Sequence, residues 1–217
     1  MREIKPAEKE FYHLYNRGVD KRKIFLEQRD LERFLAGMDQ FNTLKSIGSL
    51  GRGHSVSTEP KLVKLIAYCL NQNHFHLILE QVANKGIERF MHKLGMGYAK
   101  YFNTKYKRSG ALFQGKYQVR HVDSNEYLLH LSAYINLNDK AHTRGHRVST
   151  SEMSRSSWGE YLNKAENPIC ETSIILEQFK NPNEYKKFAE ESLKSIVERK
   201  LMIEELEDQG IELIDTL

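Results

Sequence analysis

Apolar and polar positions change period several times along this chain, and each change marks an element. Phe11-Tyr12-His13-Leu14-Tyr15-Asn16-Arg17 reads as a first strand, ended by Gly18. Leu31, Phe34, Leu35, Met38 and Phe41 recur at helical spacing and predict a helix from Asp30, its expected N-cap, to Leu44. Residues 45–60 are rich in Gly and Ser, close on Pro60 and read as a loop. Val63–Leu70 and Asn73–Gln81 predict two strands joined by a tight hairpin at Asn71-Gln72. Ile87, Phe90, Met91, Leu94, Tyr98, Tyr101 and Phe102 then form an i, i+3, i+4, i+7 stripe, the mark of a long amphipathic helix over 86–106. Gly95 and Gly97 lie inside it, where glycine lowers helix stability and permits close packing or a bend. Ser109-Gly110 breaks the chain, and Leu112–Val122 reads as extended. Asp123-Ser124-Asn125-Glu126 has the form of a capping box, with Asp123 as the acceptor, and opens a helix to about Leu137. Residues 141–168 lack periodicity. Helical spacing returns from Ile169, stops and restarts at Asn181-Pro182-Asn183, and runs as an acidic helix to about Glu207.

The order strand, helix, strand, strand, helix, strand is the split βαβ arrangement. The expected fold is therefore α+β, a ferredoxin-like antiparallel sheet with helices on one face, followed by a mostly helical C-terminal extension. One internal echo stands out. Arg52-Gly53-His54-Ser55-Val56-Ser57-Thr58 recurs as Arg144-Gly145-His146-Arg147-Val148-Ser149-Thr150, in two segments read as loops. It is too short and unperiodic for a solenoid.

Composition narrows the function. The chain has 217 residues, 40% of them hydrophobic, and no apolar run long enough to span a bilayer. Met1-Arg2-Glu3-Ile4-Lys5-Pro6 has no apolar stretch of the kind a secretory signal needs, and only two cysteines occur, Cys69 and Cys170. Both features lead to the expectation of a cytoplasmic protein without a disulfide framework or a membrane partner. The net charge of +4 conceals an asymmetry. Residues 85–120 carry nine Lys or Arg against a single acid, Glu88, interleaved with Tyr98, Tyr101, Phe102, Tyr106, Phe113 and Tyr117. Cations for phosphates and rings for unpaired bases point to a nucleic-acid surface. The competing reading is a solvated helix face over a buried aromatic stripe.

The candidate chemistry centres on His74-Phe75-His76. Side chains alternate along a strand, so the two imidazoles project from one face and Phe75 from the other. Paired imidazoles on a rigid strand make a bidentate platform for a divalent cation. A zinc site that adds Cys69 to the pair stays open, because the hairpin interrupts the alternation.

Five segments then acquire a common meaning: Tyr12-His13-Leu14-Tyr15-Asn16-Arg17-Gly18, Asn73-His74-Phe75-His76-Leu77, Tyr98-Ala99-Lys100-Tyr101-Phe102-Asn103, Gly110-Ala111-Leu112-Phe113-Gln114-Gly115-Lys116-Tyr117 and Tyr134-Ile135-Asn136-Leu137-Asn138. In this order they resemble the single-tyrosine HUH transposases of the IS200-like superfamily, in particular the REP-associated tyrosine transposases. The resemblance spans about residues 10–140, and Ser156-Ser157-Trp158-Gly159-Glu160-Tyr161 is similar to the downstream region. It implies a catalytic domain over 1–145 and a helical extension over 146–217. It implies a metal-dependent nuclease and strand transferase acting on hairpin-bearing single-stranded DNA, as a monomer or a homodimer. The implied nucleophile is Tyr134, and the implied metal ligands are His74, His76 and Asn138.

Elementary chemistry agrees with those roles. Tyr134 and Asn138 are four residues apart, so a helix puts both on one face. A phenol with a pKa near ~10 is a poor nucleophile at neutral pH without a cation to polarise the phosphate. Imidazole and amide ligands without thiolate suit Mg²⁺ or Mn²⁺ in use, and zinc is the alternative ion for the same set. Tyr127 is the alternative nucleophile. Asp139 stands where the family usually has Pro and is either a further ligand or a cap. Arg17, Lys93, Lys100, Lys105, Arg108, Gln114, Lys116 and Arg120 make up the expected DNA-contacting set. Two further readings remain: a DNA-binding protein that keeps the fold without activity, and an RRM-like RNA binder. The RNA binder would expose aromatic rings on its central strands, where this chain has His74 and His76.

Overall fold

The two longest apolar runs become neighbouring strands at the centre of the computed structural model, which describes residues 4–44, 60–138 and 153–208. β1 (Phe11–Arg17), β2 (Val63–Asn71), β3 (His74–Gln81), β4 (Gln118–Val122) and β5 (Arg155–Ser156) form one antiparallel sheet in the order β4-β1-β3-β2-β5. The first four strands have the order of a ferredoxin-like sheet, with α1 (Gln28–Gln40) and α2 (Gly86–Lys105) as the crossovers. The β2–β3 turn falls on Gln72-Asn73, one residue later than the sequence suggests, because Asn71 still pairs with His74. The predicted extended run 112–122 contains only β4 and an isolated bridge from Phe113 to Gly18.

Both faces of the sheet are covered: the crossover helices α1 and α2 lie on one face, as expected, and α3 (Asn125–Asn136) covers the other. Tyr12, Leu14, Phe75, Leu77 and Leu79 join Phe34 of α1 and Phe90, Leu94 and Tyr98 of α2 in one core. Ile66, Ala67, Cys69 and Ile78 point the other way, into a second core with α3. β2 is buried along almost its whole length, as a strand covered on both faces must be. An irregularity between Leu65 and Ala67 sends the adjacent Ile66 and Ala67 into the same core. Each large apolar side chain buried this way contributes about 1.5–3 kcal/mol.

The segment after residue 153 shares the second core. Short helices α4 (Trp158–Tyr161) and α5 (Ser173–Leu176) lead to α6 (Pro182–Asp208). Tyr161 and Tyr185 are fully buried there; Tyr161 donates to the Ile66 carbonyl of β2 at 2.9 Å. β5 pairs Ser156 with Cys69, an element of two residues that no periodicity can announce.

Helix ends differ from expectation in an informative way. α1 is capped by Glu27, and Asp30 is its N3 residue, closing a reciprocal capping box. α3 is capped by Ser124, whose hydroxyl accepts from the Tyr127 amide at 3.2 Å, one residue later than Asp123. Inside α2, a Cβ on Gly97 would lie 2.6 Å from the Phe41 ring, so Gly97 is the close-packing glycine, whereas a Cβ on Gly95 would meet nothing. Both copies of the RGHxVST echo, Asp139 and the acidic end beyond residue 208 lie outside the described residues.

Candidate active site

On β3, His74 and His76 face α3 while Phe75 enters the α1/α2 core, as strand alternation requires. Antiparallel register sets their neighbours. Tyr15 and Cys69 flank His76, and Arg17 and Asn71 flank His74. The two imidazole rings stand 5.2 Å apart, nearly perpendicular.

Each imidazole is oriented by a second residue. His76 Nδ1 shares a 3.0 Å hydrogen bond with His13 Nε2 across β1 and β3. Burial, aided by the Arg120 charge, lowers the His13 pKa to about 4, so His13 is neutral at pH 7. His74 Nδ1 donates to Asn73 Oδ1 at 2.6 Å, which leaves its Nε2 as an acceptor, here of the Asn71 amide at 3.0 Å. Such partners hold a metal-ligating histidine in one tautomer and one orientation.

α3 brings the tyrosine to this face. The Tyr134 ring meets the His76 ring edge-on at 6.1 Å. Tyr127, two turns earlier, is exposed, so of the two candidate tyrosines Tyr134 is the one in ring contact with His76. Asn138 follows the helix end, is completely buried, and accepts from Asn71 Nδ2 at 2.6 Å. It is not the C-cap, which is Leu137. Asn136 points elsewhere, donating to Tyr185 at 2.9 Å and accepting from Ser157. Burial raises the Tyr134 pKa, and the Asn138 side chain opposes that shift. Tyr134 is partly buried and is not part of the cleft wall described next.

That cleft, of about 790 Å³, opens over the histidines and is walled by Tyr15, Arg17, Lys21, His74, His76 and Gln114 among others. Arg17 Nε donates to Gln114 Oε1, so two of the expected DNA-contacting side chains already meet. Arg120 lies opposite His13 in the β1–β4 register, and Lys116 is exposed between Gln114 and Gln118. The α2 cations lie elsewhere, because α2 packs on the opposite face of the sheet. Lys105 is held at 2.6 Å by both Asp30 and Glu27, Lys93 donates to the Thr43 carbonyl at 2.7 Å, and Arg108 bonds Asn103 at 3.3 Å. Lys100 is exposed on the same helix. Of the charge-rich segment 85–120, Gln114 and Gln118 reach the cleft wall, and the structure does not bring Lys93 or Lys105 there.

The ligand set fits a divalent cation. It comprises two imidazoles, each hydrogen-bonded through Nδ1, and the buried Asn138 amide oxygen; the Asn138 Nδ2 is buried with no acceptor among the described residues and is not a ligand. His74, His76 and Asn138 are the residues that would hold it. Cys69 lies opposite His76, but no three His, Cys, Asp or Glu side chains among the described residues converge as a metal cluster, which leaves the zinc reading without a geometry. Sequence reading missed His13, Asn71 and Asn73. A register-aware reading of Tyr12-His13-Leu14 beside His74-Phe75-His76 would have found the first.

The family model for IS200-like transposases matches residues 54–138, a span that includes β2, β3, α2, β4 and α3 and with them His74, His76, Tyr134 and Asn138. No curated protein gives a significant match. Among solved structures, the fold is similar to that of a REP-associated tyrosine transposase bound to a REP hairpin, with a TM-score of 0.51 and 12% identity over 78% of this chain and 90% of that one. At that identity the likeness is one of fold. Among the described residues no helix is long and apolar enough to cross a membrane. The match to the IS200-like transposase family thus lies over the residues that build the site, and it is to that family that residues 54–138 are similar.

Proposed function

We propose that this chain cleaves and rejoins single-stranded DNA through a covalent phosphotyrosine at Tyr134, with a divalent cation, Mg²⁺ or Mn²⁺, held by His74, His76 and Asn138. The observation that carries the reading is the convergence of strand and helix: Tyr134 meets His76 edge-on, and Asn138, four residues on, joins His74 through one shared amide. When bound, the cation neutralises charge on the scissile phosphate and orients it.

The chain's own residues supply the rest. The Tyr134 oxygen attacks phosphorus and loses its proton. A phosphotyrosine bond to the 5′ phosphate forms, the bond to the 3′ oxygen breaks, and that oxygen leaves as a protonated hydroxyl. The phosphoester is exchanged rather than hydrolysed, so rejoining needs no nucleotide cofactor. Arg17 and Lys21 supply positive charge along the cleft, and Tyr15 offers a ring for an unpaired base. A hairpin substrate is favoured because the similar solved structure holds a REP hairpin.

The test is incubation of the full chain with hairpin-bearing oligonucleotides and Mn²⁺, followed by denaturing electrophoresis and peptide mapping of any adduct. A DNA-linked peptide containing Tyr134, lost on Tyr134→Phe and on chelation, is the expected result. An adduct on Tyr127, or full cleavage by the Tyr134→Phe protein, would overturn the mechanism. Hairpin binding without any adduct would leave a DNA-binding protein of the same fold.

A further inference from the structure

Asn71 ends β2 in a place where the neighbouring positions, Cys69 and Leu70, are apolar and buried. It is itself only 8% exposed. Burying an amide there costs free energy unless its polar ends are used. The structure shows how they are used. One nitrogen, Asn71 Nδ2, lies 2.6 Å from Asn138 Oδ1 and 3.0 Å from His74 Nε2. An imidazole lone pair from β3 and a carbonyl lone pair from the segment after α3 are therefore aimed at one point, and the electropositive end of the Asn71 amide occupies it.

We propose that Asn71 is itself a ligand of the divalent cation, completing the set His74, His76 and Asn138; this rests on the cation site of the proposed function. An asparagine amide has two ends of nearly the same shape and opposite polarity. Against two lone pairs alone the amide presents its nitrogen end, since an oxygen there would be repelled by both. With a cation seated between the three side chains the preference reverses, and a half-turn of the amide presents Oδ1 beside Asn138 Oδ1 and His74 Nε2. The separations of 2.6 and 3.0 Å between these atoms resemble those between adjacent donors around an ion with ligand distances of about 2.1 Å. A neutral oxygen ligand also suits Mg²⁺ or Mn²⁺ better than a softer metal. The turn of the amide exchanges two hydrogen bonds for ligation and needs no movement of the backbone.

Two other roles lead to different results. As a strut alone, Asn71 would shape the site without touching the ion, and as a plug it would compete with the ion. The experiment is a Mn²⁺ titration of the full chain, without DNA, followed by the loss of the free Mn²⁺ paramagnetic resonance signal. Wild type, Asn71→Ala, Asn71→Asp and His74→Ala are compared, with unfolding midpoints as a check on folding. Asn71→Ala should weaken Mn²⁺ binding by at least about tenfold. Asn71→Asp, which keeps the shape and supplies a carboxylate oxygen, should bind at least as tightly as wild type. Unchanged or tighter binding by Asn71→Ala, or weaker binding by Asn71→Asp, would overturn the assignment while His74→Ala still loses the ion. If His74→Ala binds Mn²⁺ as wild type does, the cation site itself is wrong. Should Asn71→Ala fail to fold, the Asn71→Asp comparison decides alone.

Discussion

Between α1 and α2, the buried Asp30 carboxylate accepts from five donors: the Leu26 and Glu27 amides, Lys105, Tyr101 and Tyr106, at 2.6–3.2 Å. On the other side of the same sheet, under α3, Asn138 is just as buried, yet its amide nitrogen has no acceptor among the described residues. Both sites contain polar groups removed from water, but only the first is saturated. A saturated buried charge fixes the packing of two helices. A buried donor left without an acceptor carries a cost of about 1–3 kcal/mol and is tolerated where chemistry needs the space. The α1/α2 face is thus read as the stabilising half of the molecule and the α3 face as the half that carries the proposed reactive site.

The contrast breaks most visibly if reactive-face substitutions unfold the protein. Tyr134→Phe should abolish DNA adduct formation, a loss on the order of a thousandfold or more. It should shift stability by under about 1 kcal/mol, because the ring still packs on His76. Rate and urea midpoint measured on one preparation separate the two effects, and a large stability loss with residual adduct would reverse the assignment of the faces.

Lys105→Met is the mirror experiment. It keeps the volume but leaves Asp30 buried without its cation. The pair is partly screened at the Lys105 end, so a destabilisation of about 3 kcal/mol is expected. Hairpin affinity of the folded fraction should stay at the wild-type value, since Lys105 is committed to Asp30 and Glu27. A fall in affinity with unchanged stability would return Lys105 to the DNA surface.

Acid should dismantle the two faces in sequence. His13 has a folded pKa of about 4, below its unfolded value of 6.5, so as pH falls the unfolded chain takes up this proton first. Its contribution is fully present above 6.5 and is lost as pH falls toward 4, by about 2 kcal/mol at pH 5. Burial pushes the Asp30 carboxyl up, but hydrogen bonds from Lys105, Leu26, Tyr106 and Tyr101 outweigh it and hold the pKa below 3.8. Its contribution is present above that value and is lost only below it. Chemical denaturation in chelator across this range should therefore show two stages, and His13→Phe should remove the upper one alone.

The smallest effects distinguish two glycines of α2. Gly95→Ala meets open space and should stabilise by about 0.5–1 kcal/mol, the ordinary helix-propensity gain. Gly97→Ala should lose at least that gain, because the new methyl meets the Phe41 ring at 2.6 Å. Thermal midpoints of the two variants test whether α1 and α2 are packed as tightly as the comparison requires.

Legibility in the sequence followed the range of each interaction. The alternation around His74-Phe75-His76 and the stripe from Ile87 to Phe102 were readable because both periods repeat within a few residues. Helix caps were readable to within a few residues: the capping-box pattern recurs at Glu27-Asp30 in the structure, three residues before the expected start. β5 was not readable at two residues long, nor was the second layer of helices, which depends on β2 being buried on both sides. The basic density of residues 85–120 suggested a phosphate surface, but charge along a sequence does not say which face a helix turns to the sheet.

By itself the sequence determined the strand and helix periods, the two imidazoles on one strand face, and the spacing of four residues between Tyr134 and Asn138. Only the tertiary structure decided who meets whom. His13 reaches His76 across 63 residues, Asn71 reaches Asn138 across 67, and Lys105 reaches Asp30 across 75. Backbone sterics and side-chain period act over a few residues and leave a local imprint. Hydrogen bonds between distant residues depend on strand register and on how the helices pack over it, which no local pattern encodes.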